Sequence, residues 1–173
     1  MDAEVKRAIG ALRMAVRIEQ NGYRFYRRAA EETNDPKAKD LFAGLAEDEV
    51  AHESVLRTRL QALEKDGAWN PVGEDEWPAG GPHGEAEPIF SEERLEEGVS
   101  DYTSDLSALR MAYLIEKNAV EFYSKAARET ADPVGQAIYE DLASWEKDHQ
   151  RILEEEYRFL ADRFKLDMGF APF

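Results

Sequence analysis

Two short segments of the sequence carry a glutamate and a histidine at the same spacing. Glu49 and His52 lie in "AEDEVAH", and Glu146 and His149 lie in "SWEKDH". On a helix, residues i and i+3 are neighbours on one face, so each pair can present a carboxylate and an imidazole to the same point. Carboxylate oxygens and imidazole nitrogens together are typical ligands of divalent transition metals. The two pairs therefore indicate a shared metal site, provided that the fold brings them together.

The two segments belong to two copies of one longer sequence. "LRMAVRIEQNGYRFYRRAAEETNDP" (12–36) aligns without a gap with "LRMAYLIEKNAVEFYSKAARETADP" (109–133), and the alignment continues to Leu56 and Leu153. Roughly 20 of about 45 paired positions are identical, which is far beyond chance within one chain. The chain is therefore an internal repeat, and the two Glu-x-x-His pairs occupy the same place in each copy.

Each copy predicts a helical hairpin. A long helical pattern stops at an Asp-Pro step, Asp35-Pro36 in the first copy and Asp132-Pro133 in the second, and a second long pattern follows. Asp can cap a free backbone N–H at a helix start, and Pro at the first helical position has no N–H to lose. Two hairpins make four helices, so the predicted fold is all-α, a four-helix bundle.

The segment that joins the hairpins differs in composition from both copies. Residues 66–100 hold four of the seven prolines and six of the eleven glycines, which rules out a single helix. Trp69 and Trp77 offer apolar anchors, and "SEERLEEG" (91–98) could form a short helix. We expect a long crossover along the bundle, or one that carries a hairpin to a second chain as a domain swap. The predicted single domain thus consists of hairpin one (2–65), the crossover (66–100), hairpin two (101–165) and a short tail (166–173).

Composition excludes several function classes. The net charge of −15 argues against nucleic acid as a partner, because binding to phosphates needs Lys and Arg. With no cysteine there is no disulfide, thiolate metal ligand or Cys nucleophile. No run approaches the ~18 apolar residues of a membrane span, and the N-terminus "MDAEVKRAIG" lacks the apolar core of a signal peptide. A cytoplasmic protein that does not bind membranes is the expectation.

Each of the four helical patterns has an apolar stripe with acidic or imidazole groups at its middle, where an ordinary bundle has Leu or Ile. Glu19 and Glu49 lie about 15 residues on either side of the first turn, so they lie at equal height in an antiparallel hairpin. Glu116 and Glu146 are balanced about the second turn in the same way. If the hairpins pack with their middles aligned, four carboxylates and two imidazoles converge on one point.

Four buried carboxylates cannot remain charged without compensation; they must take up protons or find counter-charge. Two divalent cations supply that charge, and a mixed oxygen and nitrogen set suits iron or manganese better than zinc, which favours four ligands. The alternative is that the glutamates and histidines satisfy one another through hydrogen bonds. Two equally spaced pairs together with two further glutamates favour the dinuclear metal site.

This pattern resembles the ligand set of the ferritin-like di-iron carboxylate proteins, and most closely the rubrerythrin-like branch. It consists of Glu19, Glu49-x-x-His52, Glu116 and Glu146-x-x-His149. The resemblance implies a ferritin-like bundle that binds two iron ions, for which manganese or zinc could substitute. Glu49 and Glu146 would bridge the two ions. Glu19 and Glu116 would be terminal ligands, and each histidine would bind one ion.

Two tyrosines also match the rubrerythrin-like branch, and two features of the sequence depart from it. Tyr26 and Tyr123 match tyrosines near the metals in rubrerythrins, which implies hydrogen bonds to ligand carboxylates; core packing with the hydroxyl satisfied elsewhere is the alternative. The absence of cysteine excludes the rubredoxin-type iron domain from this sequence. An extra carboxylate of that branch, associated with peroxide reduction, is replaced by Ala119. The remaining set resembles the ferroxidase centre of bacterioferritin.

The resemblance implies an oxidoreductase of the peroxidase or ferroxidase type. Its small partner would be H₂O₂ or O₂, and its electrons would come from a separate donor protein or from Fe(II) itself. One alternative is a ferroxidase that handles iron in the manner of ferritin, and another is a non-catalytic metal-binding helical scaffold. A homodimer, either simple or domain-swapped, is the expected assembly.

Overall fold

The computed structural model describes residues 2–69 and 99–167, and this part of the chain consists of helices without a strand. The four helices are α1 (Ala3–Glu32), α2 (Pro36–Asp66), α3 (Val99–Glu129) and α4 (Pro133–Asp167). The predicted all-α four-helix bundle is confirmed. Helices α3 and α4 each extend two residues beyond the predicted hairpin, into the crossover and the tail. Residues 70–98, with Trp77 and the short helix predicted at 91–98, and the tail from residue 168 lie outside the described residues.

The two Asp-Pro steps begin the second helix of each hairpin. The side chain of Asp35 accepts hydrogen bonds from the backbone N–H groups of Lys37 and Ala38, at 2.8 and 2.9 Å. Asp132 accepts from the backbone of the two residues that follow Pro133, at 2.9 and 3.2 Å. Each Asp therefore satisfies two of the N–H groups that a helix start leaves unpaired, and the turns have the same construction.

The hairpins share one core, in which two apolar clusters lie at the two ends of the bundle. Tyr26 and Leu45 from the turn end of hairpin one share a cluster with Leu153 and Leu160 from the open end of hairpin two. The other cluster joins the open end of hairpin one to the turn end of hairpin two in the same way. The hairpins therefore pack antiparallel to each other, and the middles of all four helices lie between the two clusters.

The first residues after α2 fold back onto the second hairpin. Gly67 ends α2 in a left-handed conformation with φ 70°, which glycine adopts at little cost. Two residues later, the indole of Trp69 contacts Tyr139 edge to face, with ring centroids 5.9 Å apart. It lies so close to Gly135 that a Cβ there would be 2.5 Å from the indole. Trp69 thus attaches the start of the crossover to α4.

Among the described residues, no helix has both the length and the apolar character that a bilayer span requires.

Candidate metal centre

The six residues that the sequence singled out as metal ligands converge at the middle of the bundle, and all are buried. They are Glu19 on α1, Glu49 and His52 on α2, Glu116 on α3, and Glu146 and His149 on α4. Their donor atoms form two groups, within each of which all atoms lie within 4.8 Å of one another. One group is Glu19, Glu49, His52 and Glu146; the other is Glu49, Glu116, Glu146 and His149. Because Glu49 and Glu146 belong to both, the groups define two adjacent positions that share two carboxylates.

Both histidines direct Nδ1 into the cluster. The Nδ1 of His52 lies 3.2 Å from Oε2 of Glu19 and 3.2 Å from Oε1 of Glu146. The Nδ1 of His149 lies 3.2 Å from Oε2 of Glu146 and 3.9 Å from Oε1 of Glu116. Each imidazole therefore contacts two carboxylates of the cluster through Nδ1, which is the atom available to a metal.

The far side of each imidazole meets a different residue. The Nε2 of His149 lies 3.2 Å from Oδ2 of Asp48, on α2. The ring of His52 instead stacks on the indole of Trp145, on α4, with centroids 4.9 Å apart and ring planes inclined by 22°. Asp48 and Trp145 each directly precede a shared glutamate and occupy equivalent positions in the two copies. Sequence analysis missed Asp48, although the Asp-to-Trp difference between the copies was a signal.

Helix α1 approaches the centre closely at one glycine. A Cβ built at Gly22 would lie 2.7 Å from both Cδ and Oε1 of Glu49. This is closer than real Cβ contacts, so the absence of a side chain at Gly22 makes room for the Glu49 carboxylate. The equivalent position in the second copy, Ala119, carries a Cβ. No role was assigned to Gly22 from the sequence.

The two buried tyrosines hold glutamates of the opposite hairpin. The hydroxyl of Tyr26 donates a hydrogen bond to Oε1 of Glu116, and the hydroxyl of Tyr123 donates one to Oε1 of Glu19. Of the two alternatives that the sequence left open, the structure has the tyrosines bonded to carboxylates of the cluster. Burial, and then the neighbouring carboxylates, raise the pKa of both tyrosines well above the usual value, so both stay protonated donors.

Burial is the main influence on the pKa values of Glu49 and Glu116. Together with the negative charge of Glu19, it raises the pKa of Glu49 well above the usual range. Burial and the adjacent Glu146 do the same to the pKa of Glu116. Glutamates perturbed in this way take up protons when no cation is bound, because a buried unpaired charge is costly.

The imidazoles carry compensating positive charge. Burial opposes the charged form of His52, but Glu146 and then Glu19 outweigh it and raise the pKa of His52 to about 10. In the same way Asp48 and Glu146 raise the pKa of His149 well above its usual value. For Glu146, burial favours the neutral acid, but His52 and His149 outweigh burial and hold its pKa below the usual range. Without a cation, protons on the cluster balance its charge.

Two carboxylate oxygens of the cluster have no hydrogen-bond partner among the described residues. Oε2 of Glu116 and Oε1 of Glu146 are buried, and neither accepts a hydrogen bond within the described part of the chain. The Nδ1 of His52 lies 3.2 Å from Oε1 of Glu146 as an ion pair. Buried polar atoms of this kind call for a partner. Two spare oxygens, four carboxylates and two imidazoles fit a pair of divalent cations.

A family model described as Rubrerythrin matches residues 10–157 of the chain. The match covers both copies of the repeat and all six residues of the cluster. No curated protein and no solved structure matches the chain.

Proposed function

The chain belongs to the rubrerythrin family, and we propose that it reduces hydrogen peroxide or dioxygen at a buried pair of iron ions. The family is one of ferritin-like di-iron proteins, and the buried carboxylate and histidine cluster fits a metal site. The observation that carries the proposal is that the two four-residue groups have Glu49 and Glu146 in common. Two separate mononuclear sites would not need shared ligands, whereas a dinuclear centre does.

The six residues divide between the two positions. Glu49 and Glu146 belong to both groups and would be shared by the two ions; Glu19 and His52 would complete one position, and Glu116 and His149 the other. Two iron(II) ions held here would together supply two electrons, enough with two protons to reduce H₂O₂ to two waters or O₂ to H₂O₂. The six protein ligands would set the number and spacing of the ions, because helix packing fixes the position of each donor side chain.

The residues around the ligands orient them and exclude bulk water. Tyr26 and Tyr123 donate to the terminal glutamates and keep one oxygen of each turned away from the hydroxyl for binding. The apolar clusters lie above and below the centre, and they restrict the molecules that reach it to small oxidants. In this low-dielectric setting, fixed hydrogen bonds act more strongly on a buried charge than they would in water.

Electrons must reach the centre from outside these residues. The sequence has no cysteine with which to bind a rubredoxin-type iron. The proposal therefore includes either a separate donor protein or Fe(II) itself as the reductant. A cytoplasmic location and a homodimer belong to the same proposal. Both hairpins of one chain already complete the centre, so a domain swap is not required.

The test is iron loading followed by oxidation. We expect about two irons per chain after anaerobic Fe(II) loading and desalting, and a rise in ferric absorbance on mixing with H₂O₂ or O₂. The faster oxidant identifies the substrate. Glu116→Ala should abolish the rapid oxidation, while Glu121→Ala, at an exposed position of the same helix, should not alter it. Less than one iron per chain with no oxidation would refute the proposal.

One observation favours a second candidate, a ferroxidase that feeds iron to storage or transfer. The buried Ala119 lies one turn after Glu116, where the rubrerythrin-like branch has an additional carboxylate associated with peroxide reduction. Repeated additions of Fe(II) under O₂ separate the candidates. A ferroxidase that passes iron on oxidises each new addition, so the total Fe(II) oxidised exceeds two per chain. The peroxidase instead turns over with a reductant at constant iron content.

A further inference from the structure

The two halves of the centre differ in what supports each histidine from behind. A carboxylate oxygen of Asp48 lies 3.2 Å from Nε2 of His149, whereas the indole of Trp145 stacks on the ring of His52. Within the described part of the chain, the hydrogen bond and ion pairs of His52 all involve Nδ1. The internal repeat is thus symmetric in its ligands and asymmetric in the residue that precedes each shared glutamate.

This difference acts on the nitrogen that faces the cluster. A carboxylate that accepts from Nε2–H fixes the tautomer in which Nδ1 carries the lone pair, prevents the ring from flipping and strengthens the nitrogen as a donor. The indole of Trp145 also restricts the His52 ring, but it is not an anion. Asp48 moreover adds a partly buried negative charge close to the position completed by His149.

From this asymmetry we propose that the two metal positions are unequal and fill in order. The position completed by His149 binds its divalent cation first and more tightly, and the position completed by His52 binds second. Asp48 is the positioning residue that sets the order, and Trp145 in the equivalent place is the reason that the second position lacks the same support. The inference rests on the dinuclear centre of the proposed function.

An ordered centre has a half-loaded state with a defined location. The first cation stays at the His149 position, and the cation at the His52 position is the one that exchanges with solution. The His52 position therefore gains and loses its ion more readily than the His149 position.

The experiment is a titration of the metal-free full-length chain with Co(II), whose visible absorption reports its coordination. We expect two binding steps that differ by more than about tenfold in affinity. His149→Gln should remove the tighter step and His52→Gln the weaker one, which assigns each step to a position. Wild-type steps of equal affinity, or the reverse assignment, would overturn the proposal.

Two further variants test the cause. Asp48→Asn keeps the shape of the side chain and removes its charge, and it should weaken the tighter step by about 10–100-fold with little change in the weaker one. Glu47→Gln is the matched control, because it removes the same charge at the adjacent exposed position. Trp145→Asp gives His52 a carboxylate in the equivalent place and should bring the two affinities closer together.

The outcomes separate this inference from the proposed function. If the wild-type chain binds no Co(II), both the dinuclear centre and the ordered filling are wrong. If it binds two ions but Asp48→Asn weakens both steps equally or neither, the centre stands and the ordering by Asp48 is wrong. If the steps stay far apart in a folded Trp145→Asp variant, repulsion between the bound ions explains the gap, and the proposal is likewise overturned.

Discussion

The hydroxyl of Tyr26, on α1, donates a hydrogen bond to Oε1 of Glu116, on α3. Tyr123, on α3, makes the reciprocal bond to Glu19, on α1. Both tyrosines are fully buried. Each hairpin therefore holds a glutamate of the other, and the pair of bonds fixes the relative height of the hairpins at the level of the candidate ligands.

Tyr26→Phe should destabilise the metal-free protein by about 1–3 kcal/mol, because it leaves a buried carboxyl oxygen of Glu116 without its donor. Urea unfolding followed by far-ultraviolet circular dichroism measures the loss. Co(II) binding should also weaken, since the oxygen of Glu116 is no longer held in one orientation.

The chain contains a matched control for this change. Tyr139 is buried and stacks on Tyr123, with centroids 6.2 Å apart, but its hydroxyl has no hydrogen-bond partner among the described residues. In the first copy the equivalent residue is Phe42, which stacks on Tyr26 at 6.3 Å. Tyr139→Phe should therefore change the unfolding free energy by less than about 0.5 kcal/mol. Equal losses in the two variants would show that the bond to Glu116 contributes nothing.

Gly22→Ala should impair metal binding. The new Cβ would lie 2.7 Å from the Glu49 carboxylate, so either the carboxylate or helix α1 must move. Because Glu49 belongs to both groups of donors, we expect weaker binding at both positions, by about tenfold or more in a Co(II) titration. Binding of two Co(II) ions with unchanged affinity would show that the centre tolerates the shift.

Gly10→Ala is the control for the helix itself. Gly10 lies on the exposed face of the same helix, and a Cβ there would have no atom within 4 Å. Alanine should stabilise the helix by about 0.5–1 kcal/mol at such a position. Co(II) affinity should not change in this variant, so any loss in Gly22→Ala belongs to the contact with Glu49.

Stoichiometry distinguishes shared from terminal ligands. Glu146 is in both groups of donors, whereas Glu19 is in one. Glu146→Gln should therefore weaken both steps of a Co(II) titration, and Glu19→Gln should leave a chain that binds about one ion well. Glu140→Gln, at an exposed position of α4, should behave as wild type. If Glu146→Gln affects one step only, the carboxylate does not bridge.

The fold and the convergence of the six residues could be predicted from the sequence, because both depend on local features that the two copies share. Glu49 and His52 share a helix face through their spacing, and equal distance from a turn sets Glu19 at the height of Glu49. These properties depend on helix periodicity and on the Asp-Pro turns. The second copy repeats the periodicity and the turn, so each prediction rested on two occurrences of the same pattern.

The roles that the sequence did not predict arise from contacts between helices. Asp48 reaches His149 across an interface between hairpins whose offset and rotation no periodicity determines. The resemblance implied a bond from Tyr26 to a ligand carboxylate, but not that this carboxylate is Glu116 of the opposite hairpin. Gly22 matters because Glu49 approaches it from another helix. The positions of Asp48 and Gly22 are ones at which the copies differ, so an alignment that emphasises identity passes over them.

Stability of the metal-free protein should fall as the pH rises from about 6.5 to 10. The surrounding carboxylates raise the pKa of His52 from 6.5 to about 10. In that interval the folded state holds a proton that the unfolded state has lost, so stability decreases with pH by up to about 1.4 kcal/mol per unit for each such proton. The raised pKa values of His149, Glu49 and Glu116 act in the same direction.

Bound cations should counteract this loss of stability at high pH, because they replace those protons as counter-charge. The stabilisation on adding Co(II) should therefore grow as the pH rises, since fewer protons have to be displaced. Thermal unfolding with and without Co(II) at pH 6.5, 7.5 and 8.5 measures both trends, with Gly10→Ala as a reference outside the centre. A metal-free stability that does not change with pH, or a Co(II) effect that shrinks as the pH rises, would mean that protons do not balance the charge of the cluster.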